Sequence, residues 1–294
     1  MTQENTKSRG TLFIVATPIG NLEDISLRAI RILQEADLIA AEDTRHTRKL
    51  LSFYDIKTTL TSVHGHNEKE KSAFVISKIK EGKNIAYVTD AGTPCISDPG
   101  YFLISEAHKA GVNIVPIPGC SAVTAALSAC GFPVDRFVFY GFLPARGAKR
   151  KKQLDLLKNE DKVIVFYESP VRLLDLLNDL LDVFGDREML LAREITKKFE
   201  EIKRGKVSEF IRQKKQEKIK GEITLVVNVR SLVQQNLSDE EIMDKLINIG
   251  RKNGISLRDA VQRISQEVGL PRKKVYQLGI ELEKRQKKQS AGLK

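Results

Sequence analysis

One short segment, YVTDAGTPCISDPG (residues 87–100), concentrates aspartate, glycine and proline directly after an apolar run. Two smaller segments of similar composition, TPIGN (17–21) and PGCSA (118–122), also follow apolar runs. Glycine lets the backbone approach a ligand closely, and proline fixes φ and stiffens the turn. Rigid loops of this composition can present backbone N–H groups to a small molecule, so the three segments are candidates for one shared binding site.

The ligand of these loops is not expected to be a nucleotide held by its phosphates. The chain has no GxxxxGK[ST] motif, and no GxGxxG follows the first apolar run, which argues against a triphosphatase and a dinucleotide site. The loops suit an uncharged or cationic ligand, and Asp90 is placed to accept hydrogen bonds or to lie near positive charge. A single Gly/Pro turn would more simply be structural, but three at one edge favour a site.

Several charged residues follow predicted strands and are candidates for acid–base or electrostatic catalysis. They are Glu42, Asp43, Glu168, Glu194 and Lys197. The simpler interpretation of each is a structural ion pair or a helix cap. Asp43 in particular is placed to cap a helix that begins near Thr44. The sequence does not single out one general base among them.

Positive charge is the strongest compositional signal outside these loops. The 294 residues carry 49 Lys and Arg against 38 Asp and Glu, which gives a formal net charge of +11. The cations cluster in RGAKRKK (146–152), in 197–220 and in 233–294. Such clusters are typical of proteins that bind nucleic-acid phosphates without sequence specificity. We expect RNA as the partner, although one such cluster alone would simply be a solvated face. The residues predicted to contact RNA are Arg45, His66, Asn67, Arg146, Lys149, Arg150, Lys151 and Lys152.

The sequence predicts neither a membrane nor a secreted protein, and no metal. No apolar run approaches the roughly 18–20 residues of a membrane helix, and MTQENTKSRG at the N-terminus lacks the apolar core of a signal peptide. The three cysteines form no CxxC pair and are odd in number, which argues against disulfides and zinc. His64 and His66 would share one face of an extended strand, but they lack a third ligand. We expect a cytoplasmic protein.

Short apolar runs alternate with helical patterns in the first part of the chain. TLFIVA (11–16) predicts a buried strand, and the segment after it places Leu27, Ile30 and Leu33 on one helix face. This alternation predicts parallel pairing in an open sheet that is covered on both faces. The three loops then lie at the carboxyl ends of strands, where such sheets bind ligands.

The pattern predicts four parts: a disordered tail (1–10), an N-terminal α/β domain (11–120), a second α/β domain (121–230), and a linker with a helical module (231–294). The last strand of the second domain, GEITLVVNV (221–229), is expected to run into solvent. In the module, Ser238 with Glu241 and Ser256 with Asp259 fit capping boxes. The module's short helices favour a helix-turn-helix and an ordinary packing appendage equally.

Six longer motifs resemble the tetrapyrrole methylase family. They are VATPIGNLEDISLRAI, AAEDTRHTRKLL, DAGTPCISDPG, PIPGCSA, FYESPVRL and REITKKFEE, in that order between about residues 11 and 230. Within the family they are most similar to bacterial enzymes that methylate the 2′-hydroxyl of cytidine 1402 in 16S ribosomal RNA. The resemblance implies two α/β domains of the tetrapyrrole methylase type with a cleft between them, plus a small C-terminal helical module.

The resemblance also implies S-adenosylmethionine as the cofactor, 16S RNA in the 30S subunit as the substrate, and a homodimer. It assigns the cofactor to Asp90, Thr93, Ser121 and Ala122 at the methionine and ribose end, to Tyr167, Ala192 and Thr224 on the adenine side, and to Pro18, Ile19 and Gly20 beneath the transferred methyl group. A sulfonium cation and a neutral adenine need dipoles and an acceptor rather than a phosphate cradle, as the loops offer.

Two other functions stay open at this point. The first is methylation of a small tetrapyrrole-like substrate, for which a separate basic module would not be required. The second is a non-catalytic RNA-binding assembly factor that keeps the fold, which would have no measurable affinity for the cofactor.

Overall fold

The computed structural model describes residues 10–214, 219–229, 238–253, 256–268 and 270–291. Residues 1–229 form one unit that contains two β-sheets, and residues 230–294 form a second unit. The predicted N-terminal tail lies outside the described residues except for Gly10, which is buried and donates a backbone hydrogen bond to Ile79. The predicted linker residues 231–237 also lie outside them.

The first sheet is parallel throughout, as the alternating pattern predicts. Its strands are β1 (Thr11–Val15), β2 (Leu38–Ala41), β3 (Leu60–Ser62), β4 (Ile85–Val88) and β5 (Asn113–Ile117). They pair in the order β3-β2-β4-β1-β5, and each pair is parallel. The three glycine-containing loops follow β1, β4 and β5, so all of them start at the same edge of this sheet.

Helices cover both faces of the first sheet. They are α1 (Leu27–Glu35), α2 (Thr44–Phe53), α3 (Glu68–Lys80) and α4 (Tyr101–Lys109). Leu33 of α1 and Leu50 of α2 pack with Val15 on one face, whereas Ile79 of α3 and Leu103 of α4 pack on the other. The double cover leaves all four residues of β4 buried, which explains why that strand reads as an apolar run rather than as an alternating one.

The second sheet is mixed. Its strands are β6 (Phe137–Phe142), β7 (Val163–Glu168), β8 (Glu188–Arg193), β9 (Glu201–Lys206) and β10 (Ile223–Val227), paired in the order β6-β7-β10-β8-β9. Strands β6 and β7 are parallel, whereas β10 is antiparallel to both β7 and β8, and β9 is antiparallel to β8. The chain therefore uses a different sheet design in each half of the first unit.

The last strand of this sheet does not run into solvent, so that expectation is wrong. Strand β10 is inserted between β7 and β8, and all five of its residues are buried. Its apolar run, ITLVV, suits a strand covered on both faces. The pairing partners of β10 lie far away along the chain, so local pattern alone does not reveal its central position.

Helices also cover both faces of the second sheet. They are α5 (Ala122–Ala129), α6 (Gly147–Leu156), α7 (Leu173–Phe184) and α8 (Val207–Lys214). Val123 and Leu127 of α5 pack on one face, whereas residues of α6, α7 and α8, including Leu154, pack on the other. Because α5 directly follows the loop at 118–122, the chain passes from the first sheet to the second at that loop.

The C-terminal unit is helical. It contains α9 (Asp239–Asn253), α10 (Leu257–Val268) and α11 (Arg272–Ala291) around a small apolar core. The predicted capping box at Ser238 forms in both directions: Ser238 Oγ accepts from the Glu241 N–H, and Glu241 Oε2 accepts from the Ser238 N–H. At the second predicted box, Ser256 Oγ accepts from the Asp259 N–H and donates to the Asp259 carboxylate. Within the described part of the chain, no helix combines the length and apolar character needed to cross a membrane.

Candidate active site

The three loops at the edge of the first sheet meet, as the sequence predicts. Thr17 and Gly92 exchange two backbone hydrogen bonds of 2.9 Å, and Thr93 Oγ1 donates to the carbonyl of Cys120 at 3.1 Å. Gly92 has a φ of 79°, a conformation that other residues adopt only with strain. A glycine here therefore lets the second loop fold back against the first and the third.

A cavity of about 450 Å³ lies where these loops face the second sheet. The first half of the unit contributes Ile19, Glu42 and residues 90–93, 96–98 and 121–122; the second half contributes Phe142, Ile195 and residues 167–170 and 221–224. The volume falls within the range of about 300–1,000 Å³ that is usual for small-molecule sites. The cavity is thus large enough to enclose a ligand of cofactor size.

Carboxylates dominate the charge of the cavity. Five acidic residues line it, Glu42, Asp90, Asp98, Glu168 and Glu222, and none of the described lining residues is Lys or Arg. Burial raises the pKa of Asp98 to about 6, and repulsion from Glu42 and Asp90 adds to the effect. Burial also raises the pKa of Glu42. A cationic ligand would relieve this repulsion, whereas an anionic one would be excluded.

Hydrogen bonds to the backbone hold the carboxylates of the first sheet in place. Glu42 Oε2 accepts from the Asp90 N–H at 3.3 Å, and Asp90 Oδ1 accepts from the Asp43 N–H at 3.1 Å, so the ends of β2 and β4 are locked together. Asp43 has a different position. Its Oδ1 accepts from the Arg45 N–H at 2.8 Å and caps α2, and its carboxylate pairs with the Arg45 guanidinium. The Arg45 side chain lowers the pKa of Asp43.

Glu168 is the buried carboxylate with spare bonding capacity. It is 2% exposed, and its Oε1 accepts from the Ser169 N–H and from Arg172 Nε, both at 2.7 Å. Its Oε2 is buried and has no hydrogen-bond partner among the described residues. Such an atom is costly to leave unpaired. Glu168 is one of the residues that line the cavity, and its side chain is fully buried.

Lys197 lies beside the cavity rather than in its wall. Its ammonium pairs with Glu194 at 3.0 Å and with Glu222 at 3.1 Å. The loop that carries it also contacts the first glycine loop, because the Asn21 N–H donates to Thr196 Oγ1 at 3.1 Å. Lys197 therefore belongs to the contact that joins the two sheets at one end of the cavity.

The structure brings most of the expected cofactor residues together. Those that line the cavity are Ile19, Asp90, Thr93, Ser121, Ala122, Tyr167 and Thr224. Pro18 is buried, Gly20 is exposed and packs against Lys197, and Ala192 belongs to the core beneath α5. None of these last three is among the lining residues, and their assignment to the cofactor stays a prediction.

Sequence reasoning missed two lining residues at the mouth of the cavity. Asp98 lies within the segment already singled out and was recognisable as an acidic residue between two turns. Phe142 was not recognisable, because its orientation depends on an irregularity in β6. Gly221, Glu222 and Ile223 were also missed, since the central position of β10 is not visible in the sequence, whereas their neighbour Thr224 was expected.

Arg150 is a correction to the predicted RNA-binding residues. It is 4% exposed, and its Nε lies 2.5 Å from Asp179 Oδ2 of α7. The reason is helical phase: Arg150 is four residues before Leu154, which points into the core. Lys151 is half-exposed and pairs with Asp182 at 2.8 Å. The other predicted cations of this cluster, Arg146, Lys149 and Lys152, are exposed.

The loop around Asn67 uses its side-chain amide, and the RNA contact of this residue stays a prediction. Its Oδ1 accepts from the His64 N–H at 2.8 Å, and its Nδ2 donates to the Ser62 carbonyl at 3.3 Å. His66 is exposed in the same loop, and the Arg45 guanidinium, although paired with Asp43, is also exposed. Within the described ranges, no group of three residues has the arrangement of a metal site.

Three comparisons relate this chain to known proteins. The family Tetrapyrrole (Corrin/Porphyrin) Methylases matches residues 11–211. A Halalkalibacterium halodurans protein named ribosomal RNA small subunit methyltransferase I is 42% identical over 277 residues, 92% of this chain and 94% of that protein. A Thermotoga maritima protein of the same name is 51% identical over 219 residues, 74% of this chain and 98% of that protein.

The fold also matches a solved structure. The crystal structure of uroporphyrin-III C-methyltransferase from Thermus thermophilus complexed with S-adenyl homocysteine has a TM-score of 0.54 to this chain at 16% identity. The match covers 75% of this chain and 98% of that one. At this level of identity the likeness concerns the fold.

Proposed function

This chain belongs to the tetrapyrrole methylase family, and from that premise we propose that it methylates a ribose 2′-hydroxyl in small-subunit ribosomal RNA with S-adenosylmethionine as methyl donor. The target within that substrate is the ribose of cytidine 1402 in the 30S particle, and the active form is a homodimer. Similarity to relatives named after small-subunit ribosomal RNA supports the substrate class.

The observation that carries the proposal is the acidic cavity at the junction of the three loops. S-adenosylmethionine is a sulfonium cation, and the cavity volume of about 450 Å³ suits a ligand of its size. Five carboxylates surround the space, and the described lining residues include no Lys or Arg. A site with this charge favours the sulfonium form over a phosphate-bearing ligand.

The residues of the loops bind and orient the cofactor. We assign Asp90, Thr93 and Ser121 to its methionine and ribose end, and Tyr167 and Thr224 to its adenine. When bound, the cofactor supplies a methyl group already activated for in-line displacement, so the protein has to align the acceptor and exclude water. The loops are suited to this because hydrogen bonds between them hold them together.

A ribose hydroxyl is a weak nucleophile, so a hydrogen-bond acceptor for its proton is needed. Among the candidates, we assign this role to Glu168. Asp43 is engaged as a helix cap, and Lys197 is paired with two carboxylates. Glu168 is instead fixed through Oε1 by Arg172, while its buried Oε2 has no partner among the described residues.

Exposed cations outside the cavity are assigned to RNA binding. Arg146, Lys149 and Lys152 of the basic run at α6 are exposed, as are Arg45 and Arg48 of α2. Strand β6 ends at the cavity wall with Phe142 and the chain then continues to α6, and α2 begins directly after Glu42–Asp43. Cations at these positions can hold phosphates on both sides of a ribose in the cavity.

The C-terminal unit is assigned an accessory role in substrate binding. The Thermotoga maritima relative, which carries the same name, is matched over 98% of its length by 74% of this chain. About a quarter of this chain therefore has almost no counterpart in that protein. The family match covers residues 11–211, which lie in the first unit, so methyl transfer is assigned to that unit.

Methyl transfer from tritiated S-adenosylmethionine tests the proposal. We expect 30S particles that lack the modification to gain label, and digestion to nucleosides to place it on 2′-O-methylcytidine. Label on a small tetrapyrrole instead would move the chain to the other branch of its family. Absence of any cofactor binding by calorimetry would favour the non-catalytic assembly factor.

A further inference from the structure

Phe142 is an exposed aromatic residue in the wall of the cavity. It ends strand β6, is 56% exposed and lines the cavity. Its ring lies 5.6 Å from that of Tyr167, which lies 5.0 Å from that of Phe139. The three rings form a row in which Phe142 is the most exposed, so packing within the protein does not by itself explain the position of this ring.

An irregularity in β6 directs Phe142 towards the cavity. The register with β7 shifts between Phe139 and Gly141, and Gly141 has a φ of 66°. A Cβ atom on Gly141 would lie 2.9 Å from Ser97 Oγ, so glycine lets the strand end approach the loop of the first sheet without displacing that side chain. Such bulges re-aim side chains and are frequent beside active sites.

The groups beside Phe142 can bond the edge of a flat heterocycle. Ser97 packs against Gly141, and Asp98 is close enough to Tyr167 to contribute to the raised pKa of that phenol, after burial. An apolar ring face next to a hydroxyl and a carboxyl offers stacking together with a hydrogen-bond donor and acceptors. Unpaired nucleobases are recognised by this combination.

We infer that Phe142 is a stacking platform for the nucleobase of the nucleotide whose ribose is methylated, so that this nucleotide enters the cavity unstacked from its neighbours. The inference rests on the proposed function and adds a positioning residue and a substrate conformation to it. Phe142 is assigned to the substrate rather than to the cofactor adenine because it is more exposed than Tyr167 and stands where a polymer can reach it.

The test compares Phe142→Ala, Phe142→Leu and Phe142→Trp with the matched control Phe137→Ala. Phe137 begins the same strand, is 42% exposed and is not among the cavity-lining residues. The readouts are kcat/KM on 30S particles, the affinity for S-adenosylhomocysteine, and the fluorescence of a single-stranded RNA that carries pyrrolocytosine at the target position.

We expect Phe142→Ala to lower kcat/KM by about 5- to 150-fold, as loss of one base stack implies, while cofactor affinity changes less than about twofold. Phe142→Trp should keep activity and Phe142→Leu should not. The pyrrolocytosine signal should respond to the wild type and to Phe137→Ala, but not to Phe142→Ala.

Equal kcat/KM values and equal pyrrolocytosine signals for Phe142→Ala and Phe137→Ala would overturn the inference. A loss of kcat/KM in Phe142→Ala that is matched by an equal loss of cofactor affinity would also overturn it, because the ring would then contact the cofactor adenine. The proposed function fails separately, through absence of ribose methylation by the wild type. In that case the pyrrolocytosine response still decides whether a base stacks on Phe142.

Discussion

The cavity and helix α6 use charged side chains in opposite ways. In the cavity, the carboxylates of Glu42, Asp90 and Glu168 each accept a hydrogen bond from a backbone N–H, and none of the described lining residues is Lys or Arg. On α6, adjacent cations of one basic run have different positions: Arg150 is buried against Asp179, whereas Lys149 is exposed. The position of a charged side chain on its helix or strand, rather than the number of charges around it, decides whether it is buried in an ion pair or exposed to solvent.

The comparison explains why two ligands of opposite charge can bind one unit. A sulfonium cation is attracted by buried carboxylates that salt screens poorly, whereas a polyanion binds exposed lysines in a salt-dependent way. Substitutions in the two regions should therefore separate cofactor binding, catalysis and RNA binding.

The largest expected effect on the cavity side is that of Glu168→Gln. The amide keeps the shape and can still accept from Arg172, but it is a far weaker proton acceptor. We expect kcat to fall by about 10²- to 10⁴-fold, with affinity for S-adenosylhomocysteine nearly unchanged. Glu35→Gln, which alters an exposed carboxylate of α1 that is not among the lining residues, serves as the control. A kcat within a few-fold of wild type for Glu168→Gln would remove it from the reaction.

Helix α6 provides the next test, because two neighbouring residues should behave differently. Arg150→Ala leaves Asp179 buried without its main partner and should lower the free energy of unfolding by about 3–5 kcal/mol, measured in urea. Lys149→Ala should change it by less than about 0.5 kcal/mol.

The same helix should give the reverse order for RNA. Replacing Lys149 and Lys152 together should weaken RNA binding and reduce the slope of log K against log salt by about 0.7–0.9 for each phosphate that is no longer neutralised. A salt slope that stays unchanged, with unfolding free energies equal for Arg150→Ala and Lys149→Ala, would contradict the division of α6 into a buried and an exposed side.

Asp90→Asn should weaken cofactor binding by roughly 10- to 150-fold, as expected when a hydrogen bond to a charged group is removed. RNA affinity should remain within about twofold of wild type, because Asp90 lies inside the cavity. Asp182→Asn, on the exposed face of α7, is the matched control for calorimetry. Equal losses for both ligands in Asp90→Asn would show that the two sites are not separate.

The smallest expected effect is a pH dependence. The pKa of Asp98 is raised to about 6, and a bound cation favours its ionised form, so cofactor affinity should fall as pH drops through this value. At pH 5.5 the loss is limited to about fourfold, the inverse of the ionised fraction. Without ligand the sign is opposite, because the folded protein binds this proton more tightly than the unfolded chain and gains stability as pH falls from about 6 towards 4.

Asp98→Asn should flatten the pH profile of cofactor affinity between pH 5 and 7.5, apart from a residual slope from Glu42, whose pKa is also raised. Calorimetric titrations at several pH values would measure it. An unchanged profile in Asp98→Asn would assign the titration to another group.

The sequence was informative where function depends on local chemistry. The glycine and proline loops could be placed at one edge because parallel strands put their carboxyl ends together, and they do meet there. Most of the cofactor residues that the family resemblance implies also line the cavity. The capping boxes of the C-terminal unit likewise depend on residues only three positions apart.

Features set by distant contacts could not be predicted. The central position of β10 depends on strands far along the chain, and the orientation of Phe142 depends on a bulge that packs against Ser97. Arg150 was recoverable in principle, since its spacing from Leu154 and Leu157 places it on the apolar side of α6. Its presence in a basic run concealed that signal.

A structure of the protein with S-adenosylhomocysteine and a short single-stranded RNA would test most directly whether the acidic cavity is the site of methyl transfer. We expect the cofactor between the Asp90 loop and β10, and a ribose 2′-hydroxyl within about 3 Å of Glu168 Oε2. A cofactor bound elsewhere, or a ribose held away from Glu168 by the exposed cations, would contradict this assignment.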